Sequence, residues 1–263
     1  MMRTVAFVVW AGGLLAAGFG VAQGTVTCVV DSGTRVLPLV ELYTSEGCDS
    51  CPPADRWLSS LFPPSGNATN ASVLAFHVDY WDRLGWKDRF AQPAFTTRQH
   101  AAMRANGSTF VYTPQVLLQG KDVPPGQRGR MGEMIGRAQR DPARAGIAID
   151  ATGFASGAPV RLRATLRERG AASGAQLWLV YADNGLVTDV ALGENRGVRL
   201  THDHVARALH GPYAFDASGA IEVSVPAVAP AEPGMAPALV AFVQDTRSGA
   251  VLQSLTVPLA SCG

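Results

Sequence analysis

The sequence predicts an α/β unit followed by a half that folds as an antiparallel β-sandwich, and three observations carry that reading. Over residues 36–140, apolar runs of strand length alternate with helical patterns. Beyond residue 145 the hydrophobic period drops to two, and short strands recur between clusters of Gly, Asn, Asp and Pro. Between a predicted strand and a predicted helix stands a Cys-x-x-Cys, in "GCDSCPPAD" (47–55).

Met1, Met2 and Arg3 make a short basic start, residues 4–19 an apolar run, and Gly20-Val21-Ala22 a small-x-small cleavage site. That pattern predicts a signal peptide over 1–22, and a periplasmic or secreted mature chain. No later run approaches the ~20 apolar residues a membrane span needs, so no stable membrane insertion is expected after cleavage. The chain has 263 residues, 47% of them hydrophobic, enough to fill a core. Lys and Arg total 22 against 21 Asp and Glu, a net charge of +1 that leaves no footprint for nucleic acid.

The elements follow in order. "LPLVELYT" (37–44) reads as a strand, "DRWLSSLF" (55–62) as a helix and "SVLAFHVDYW" (72–81) as a strand. A helix over 93–106 begins at a proline and stops at Asn106-Gly107. Residues 116–118 form a short strand closed by Gly120, and 128–140 a last helix. The domain boundary falls at 143/144. In "PVRLRATLRER", Val160, Leu162, Ala164 and Leu166 alternate with polar residues, so one face is buried and the other wet. Further strands are predicted at 176–181, 221–225, 238–244 and 251–257, with one helix, "THDHVARALHG", capped by Thr201 and stopped by Gly211.

The cysteines are Cys28, Cys48, Cys51 and Cys262. An even count in an exported chain points to pairing, with three possible connectivities. Cys48 with Cys51 is local, and Cys28 with Cys262 joins the ends of the mature chain, which often lie close together. Closing that loop of about 230 residues contributes on the order of 5 kcal/mol in the loop-entropy picture. At the N-terminus of the predicted helix, Cys48 is the candidate nucleophile, favoured as thiolate by the helix dipole and disfavoured by Asp49 beside it. Cys51, one turn on, is the candidate resolving thiol.

"VELYTSEGCDSCPPAD", "FHVDYWDRLGWKDRFA" and "VYTPQVLLQG" together resemble the DUF1223 family of exported bacterial proteins, and "LGENRGVRLTHDHVARAL" is similar to that family's C-terminal half. The resemblance implies a thioredoxin-like domain over 23–143, with a β-rich domain over 144–263. It further implies that Thr113-Pro114 is a cis peptide facing the cysteines, with both residues shaping a substrate-binding edge. Glu41, on the preceding strand, is the candidate proton relay, although a one-residue slip would turn it to the other face. Trp81 and Trp86 are candidate substrate contacts flanking the site.

The implied activity is thiol:disulfide exchange with protein or small-molecule partners, needing no organic cofactor. The alternative is a binding module in which Cys48–Cys51 is a structural staple. A Cu(I) or Zn(II) site using His77 is a lesser possibility, since isolated strand histidines are usually just hydrogen-bonded; no metal is expected.

Overall fold

The computed structural model describes residues 27–64, 70–167, 174–232 and 237–262. The predicted signal peptide lies outside them. After a short strand, Val29–Asp31 (β1), the chain enters Leu39–Thr44 (β2), helix Pro52–Leu61 (α1) and Ser72–His77 (β3). β2 and β3 run parallel, with Leu39 opposite Ser72 and Thr44 opposite His77. Both strands are buried on both faces, which is why they read as near-continuous apolar runs. Helix Pro93–Ala105 (α2) starts at a proline and ends at Asn106, whose side-chain amide donates to the Ala102 carbonyl at 2.8 Å; Gly107 follows at φ 68°. Gln115–Leu118 (β4) lies antiparallel to β2, and Lys121–Asp122 (β5) and Met131–Ala138 (α3) complete this half.

The second half supplies Ala145–Asp150 (β6), Val160–Leu166 (β7), Ala175–Asp183 (β8), Leu186–Asp189 (β9), Arg199–His202 (β10), Val205–Ala214 (β11), Ala220–Val225 (β12), Ala238–Asp245 (β13) and Val251–Pro258 (β14). Here the expected fold class is overturned. The chain is not a thioredoxin-like α/β domain followed by a β-sandwich; it is one β-rich fold. Strands from both halves form a single eight-stranded sheet in the order β14-β13-β8-β11-β3-β2-β4-β5. The seam is β11, parallel to β3 through Val205 and Ala75 and antiparallel to β8.

Burial explains the misreading. A sandwich strand covered on one face alternates, but β8, β13 and β14 are covered on both for most of their length. On one face α2 packs Phe95 and Ala102 against Phe76, Val180 and Phe242. On the other, a four-stranded sheet, β1-β6-β7-β12, lays Ile147, Ile149 and Leu162 over Leu179, Tyr181 and Leu239. That smaller sheet does alternate, and there the period-two pattern read its face correctly. α1 and α3 cover the β2–β4 end through Leu58 and Ile135. Each fully buried Leu, Ile or Phe contributes about 1.5–3 kcal/mol, so these faces hold the halves together.

The helix predicted over 201–211 is also corrected. Residues 199–202 pair with β9, and the chain then turns at His204, φ 58°, into β11. The Asn184 side-chain oxygen accepts the His204 N–H at 2.8 Å and Asp203 accepts from Gly185 N, so side chains fix a turn where a helix was expected.

Candidate functional site

β2 delivers the chain to the rim of the sheet, where Ser45, Glu46 and Gly47 lead into Cys48. Two turn-like bonds, Cys48 N to Ser45 O and Cys51 N to Cys48 O, each 3.2 Å, bring the cysteines together. Cys48 and Cys51 are disulfide-bonded with Cα atoms 5.4 Å apart. Cys28 and Cys262 form the second bond, Cα–Cα 5.1 Å, tying the start of β1 to the C-terminal turn. Both sites fit ordinary disulfide spacing.

Cys51, not Cys48, is the residue capping α1, and the amides of Ala54 and Asp55 bond back to its carbonyl at 2.8 and 3.1 Å. Pro52 and Pro53 have no N–H to offer. The expected cradle of free helix amides for the Cys48 sulfur is therefore missing, and hydroxyls take its place. Thr113 Oγ1 and Ser50 Oγ each lie 3.4 Å from Cys48 Sγ. Trp81 Nε1 donates to Thr113 Oγ1 at 2.7 Å. An indole N–H only donates, so it fixes the Thr113 oxygen as acceptor and leaves its hydrogen to point at the sulfur.

The other sequence candidates divide. The Thr113–Pro114 peptide is cis, and the Pro114 carbonyl accepts from Arg128 Nη2 at 2.7 Å. Trp81 lies over Gly47: a Cβ there would stand 3.2 Å from Trp81 Cβ. Trp86 turns away, donating to Glu46 Oε2 at 2.8 Å. Glu41 is not brought to the cysteines. Strand alternation places it with Tyr43 on the α2 face, where its carboxylate meets Arg98 Nε at 2.7 Å and accepts from Tyr43 OH at 3.3 Å. Both members of that ion pair are buried.

Residues that the sequence did not single out close the site. Asn195 Nδ2 donates to the carbonyls of Glu46 and Cys48 at 2.8 and 2.9 Å, and Glu194 Oε2 accepts the Asp49 N–H at 3.2 Å. Both sit in the "GENRG" loop joining β9 to β10. Gly193 permits the close seat, since a Cβ on it would stand 3.1 Å from Trp86 Cβ, and its φ is 75°. Under this cover Cys48 and Cys51 are each 0% exposed. Only the family-like "LGENRGVRL" stretch signalled the loop in sequence, with no hint of its contacts.

Beneath the cysteines lies a buried set of ionisable groups: Glu46, Asp55, His77, Asp88 and His202. His77 Nδ1 meets Asp88 Oδ2 at 2.7 Å, and Asp88 also accepts the amides of Glu46 and Phe90. Burial alone would lower the His77 pKa, but the carboxylates of Asp88, Asp55 and Glu46 together outweigh it and the net shift is upward. Burial would raise Asp88; the His77 charge and bond, with the two amides, bring it below the usual carboxylate value. Burial raises Asp55, one turn past Cys51, against opposing pulls from His202 and His77. The rings of His77 and His202 meet edge to face at 4.9 Å, and His202 Nε2 lies 3.3 Å from Glu46 Oε1. Among the described residues no group of three or more His, Cys, Asp or Glu is arranged to hold a metal ion.

Fold and site thus define a β-rich protein with a covered Cys-x-x-Cys disulfide at the rim of a mixed sheet. Residues 39–244 match the model of DUF1223, described as a protein of unknown function, and the chain belongs to that family. A crystal structure of a protein from Agrobacterium tumefaciens is similar at 25% identity and a TM-score of 0.65, covering 86% of this chain and 96% of that one. HBP35 of Porphyromonas gingivalis is similar at 13% identity and a TM-score of 0.61, over 87% of this chain and 77% of that one, a likeness of fold alone. No curated protein matches the sequence.

Proposed function

We propose that the protein is an exported thiol:disulfide exchange protein whose working bond is Cys48–Cys51. The observation that carries this reading is the Trp81–Thr113–Cys48 chain, which presents a hydroxyl hydrogen to one sulfur of the pair at 3.4 Å. A structural bond has no use for a group aimed at a developing thiolate. In the oxidising direction a substrate thiolate attacks Cys48 Sγ, the Cys48–Cys51 bond breaks, and its electron pair leaves on Cys51. A second substrate thiolate then attacks the substrate sulfur of the mixed disulfide and releases Cys48 reduced. The reverse sequence reduces a substrate disulfide. Partners are protein or small-molecule thiols and disulfides. Export rests on the leader-like first 22 residues together with two disulfides.

Complete burial of both sulfurs requires the GENRG loop to lift before a substrate reaches Cys48. The same burial favours a second reading, in which Cys48–Cys51 is an inert staple and the loop and aromatic residues form a contact surface. Trapping separates them. Cys51→Ser, reduced and freed of reductant and then incubated with an oxidised peptide disulfide, is expected to accumulate a mixed disulfide on Cys48 as its thiolate displaces a peptide thiol, whereas Cys48→Ser accumulates none. No adduct on Cys48 in the folded Cys51→Ser protein leaves the staple reading standing alone.

A further inference from the structure

Between α2 and the strands that it covers runs a groove of about 380 Å³, within the ~300–1,000 Å³ usual for small-molecule sites. It is built on α2, β8, β11 and β13, which bear no residue hydrogen-bonded to the cysteines through its side chain, and it is independent of the exchange reading. Small side chains of α2, Ala94, Ala101 and Ala105, form one wall, and Trp178 and Leu209 lie across from them. Gly249 closes one end: a Cβ on it would stand 2.7 Å from Ala105 Cβ. Gly211, at a bulge in the β11–β8 pairing, brings backbone against the Trp178 ring so closely that a Cβ would lie 3.1 Å from it.

Polar groups converge on this apolar slot. Thr97, Gln176 and Trp178 line it, and none of their polar side-chain groups has a hydrogen-bond partner among the described residues. Arg98 lines it too, 8% exposed, with Nε on Glu41 at 2.7 Å and Nη1 on Gln244 at 3.2 Å. Its carbon Cζ stands over Phe242 and Trp178 at 4.5 and 5.5 Å, so the guanidinium rests on this stacked ring pair. A guanidinium has five donors, and these bonds leave some unspent.

Charge narrows the ligand. Glu41 already neutralises Arg98, and Arg247 offsets the Asp245 carboxylate at the rim, so an anion would shed its water with no net positive charge to meet it. A neutral acceptor meets no such penalty. We propose that the groove is a binding site for small, neutral, planar aromatic molecules bearing a carbonyl, the ring lying on Trp178 and the oxygen turned to Arg98.

The test titrates the intact protein with 2-naphthamide and with its anionic isostere 2-naphthoate, by ligand-observed NMR and fluorescence. The amide is expected to saturate with a dissociation constant below ~1 mM and the carboxylate to bind at least ~tenfold more weakly. Ala101→Phe and, separately, Thr97→Phe, both at exposed positions of α2, should weaken the amide at least ~tenfold without lowering the unfolding temperature appreciably. No saturable binding of the amide, equal or tighter binding of the carboxylate, or undiminished binding in either folded variant would overturn the proposal.

Discussion

In the proposed exchange Thr113 acts through Trp81, because an oxygen that accepts from an indole at 2.7 Å has only its own hydrogen left to give. A hydrogen bond to a charged group contributes about 1.5–3 kcal/mol. Thr113→Val is therefore expected to raise the Cys48 thiol pKa in the reduced protein by about one unit or more, read from the pH dependence of Cys48 alkylation. An unchanged alkylation profile would remove Thr113 from the mechanism. His77 and Asp88 set a pH window for stability. The His77 pKa is raised, so its contribution is full below the ordinary value of 6.5 and is lost as pH rises through the raised one. That of Asp88 is lowered, so its contribution is full above 3.8 and is lost as pH falls through the lowered one. Asp88→Asn, which leaves a buried charge unpaired, should cost about 3–5 kcal/mol between those values and less at alkaline pH. Denaturant unfolding at several pH values checks this. At this scale the two cysteine pairings were legible from count and spacing, and the cis peptide at Pro114 only through the family resemblance. Glu41 was not, since a one-residue step on a strand exchanges faces, and its partner Arg98 lies on an element 57 residues away.

In the proposed exchange the GENRG loop is the element that governs access to the disulfide. Asn195 makes two buried bonds to the motif's backbone, each contributing about 1 kcal/mol net. Asn195→Ala should loosen the cover and speed reduction of Cys48–Cys51 in the folded protein about tenfold or more, as ~1.4 kcal/mol is one decade. Timed thiol trapping with mass spectrometry reads this directly. A rate equal to wild type would mean that the loop does not gate the bond. Helices whose starts and stops are written in Pro, Asn and Gly, such as α2, were readable from local chemistry. β10 and β11 were not. Val205 and Leu209 satisfy a helical i, i+4 spacing, but Val205 is buried by pairing between β3 and β8, and tertiary contact overrides the local pattern.

At the scale of the molecule, one sheet crosses the boundary expected at 143/144. Residues 27–143 alone would leave β3 with a bare edge where β11 pairs, and would uncover Phe76 and Phe95. That fragment is expected to lack a cooperative unfolding transition by circular dichroism; a sharp one would show that the N-terminal half folds by itself. The long-range pairing was illegible because neither β3 nor β11 carries a mark of its partner; the alternation named faces, not neighbours. Cys28–Cys262 spans 234 residues, and removing it should cost up to about 5 kcal/mol without affecting exchange at Cys48.

On the proposed reading the two disulfides differ in kind, one reactive and one structural. The most direct measurement equilibrates the folded protein with a graded series of reduced and oxidised glutathione and assigns each bond by mass spectrometry. Cys48–Cys51 should reduce reversibly, with a potential above about −300 mV, while Cys28–Cys262 stays intact and the fold is kept. Failure of Cys48–Cys51 to reduce until the protein unfolds would contradict the account and leave it a staple.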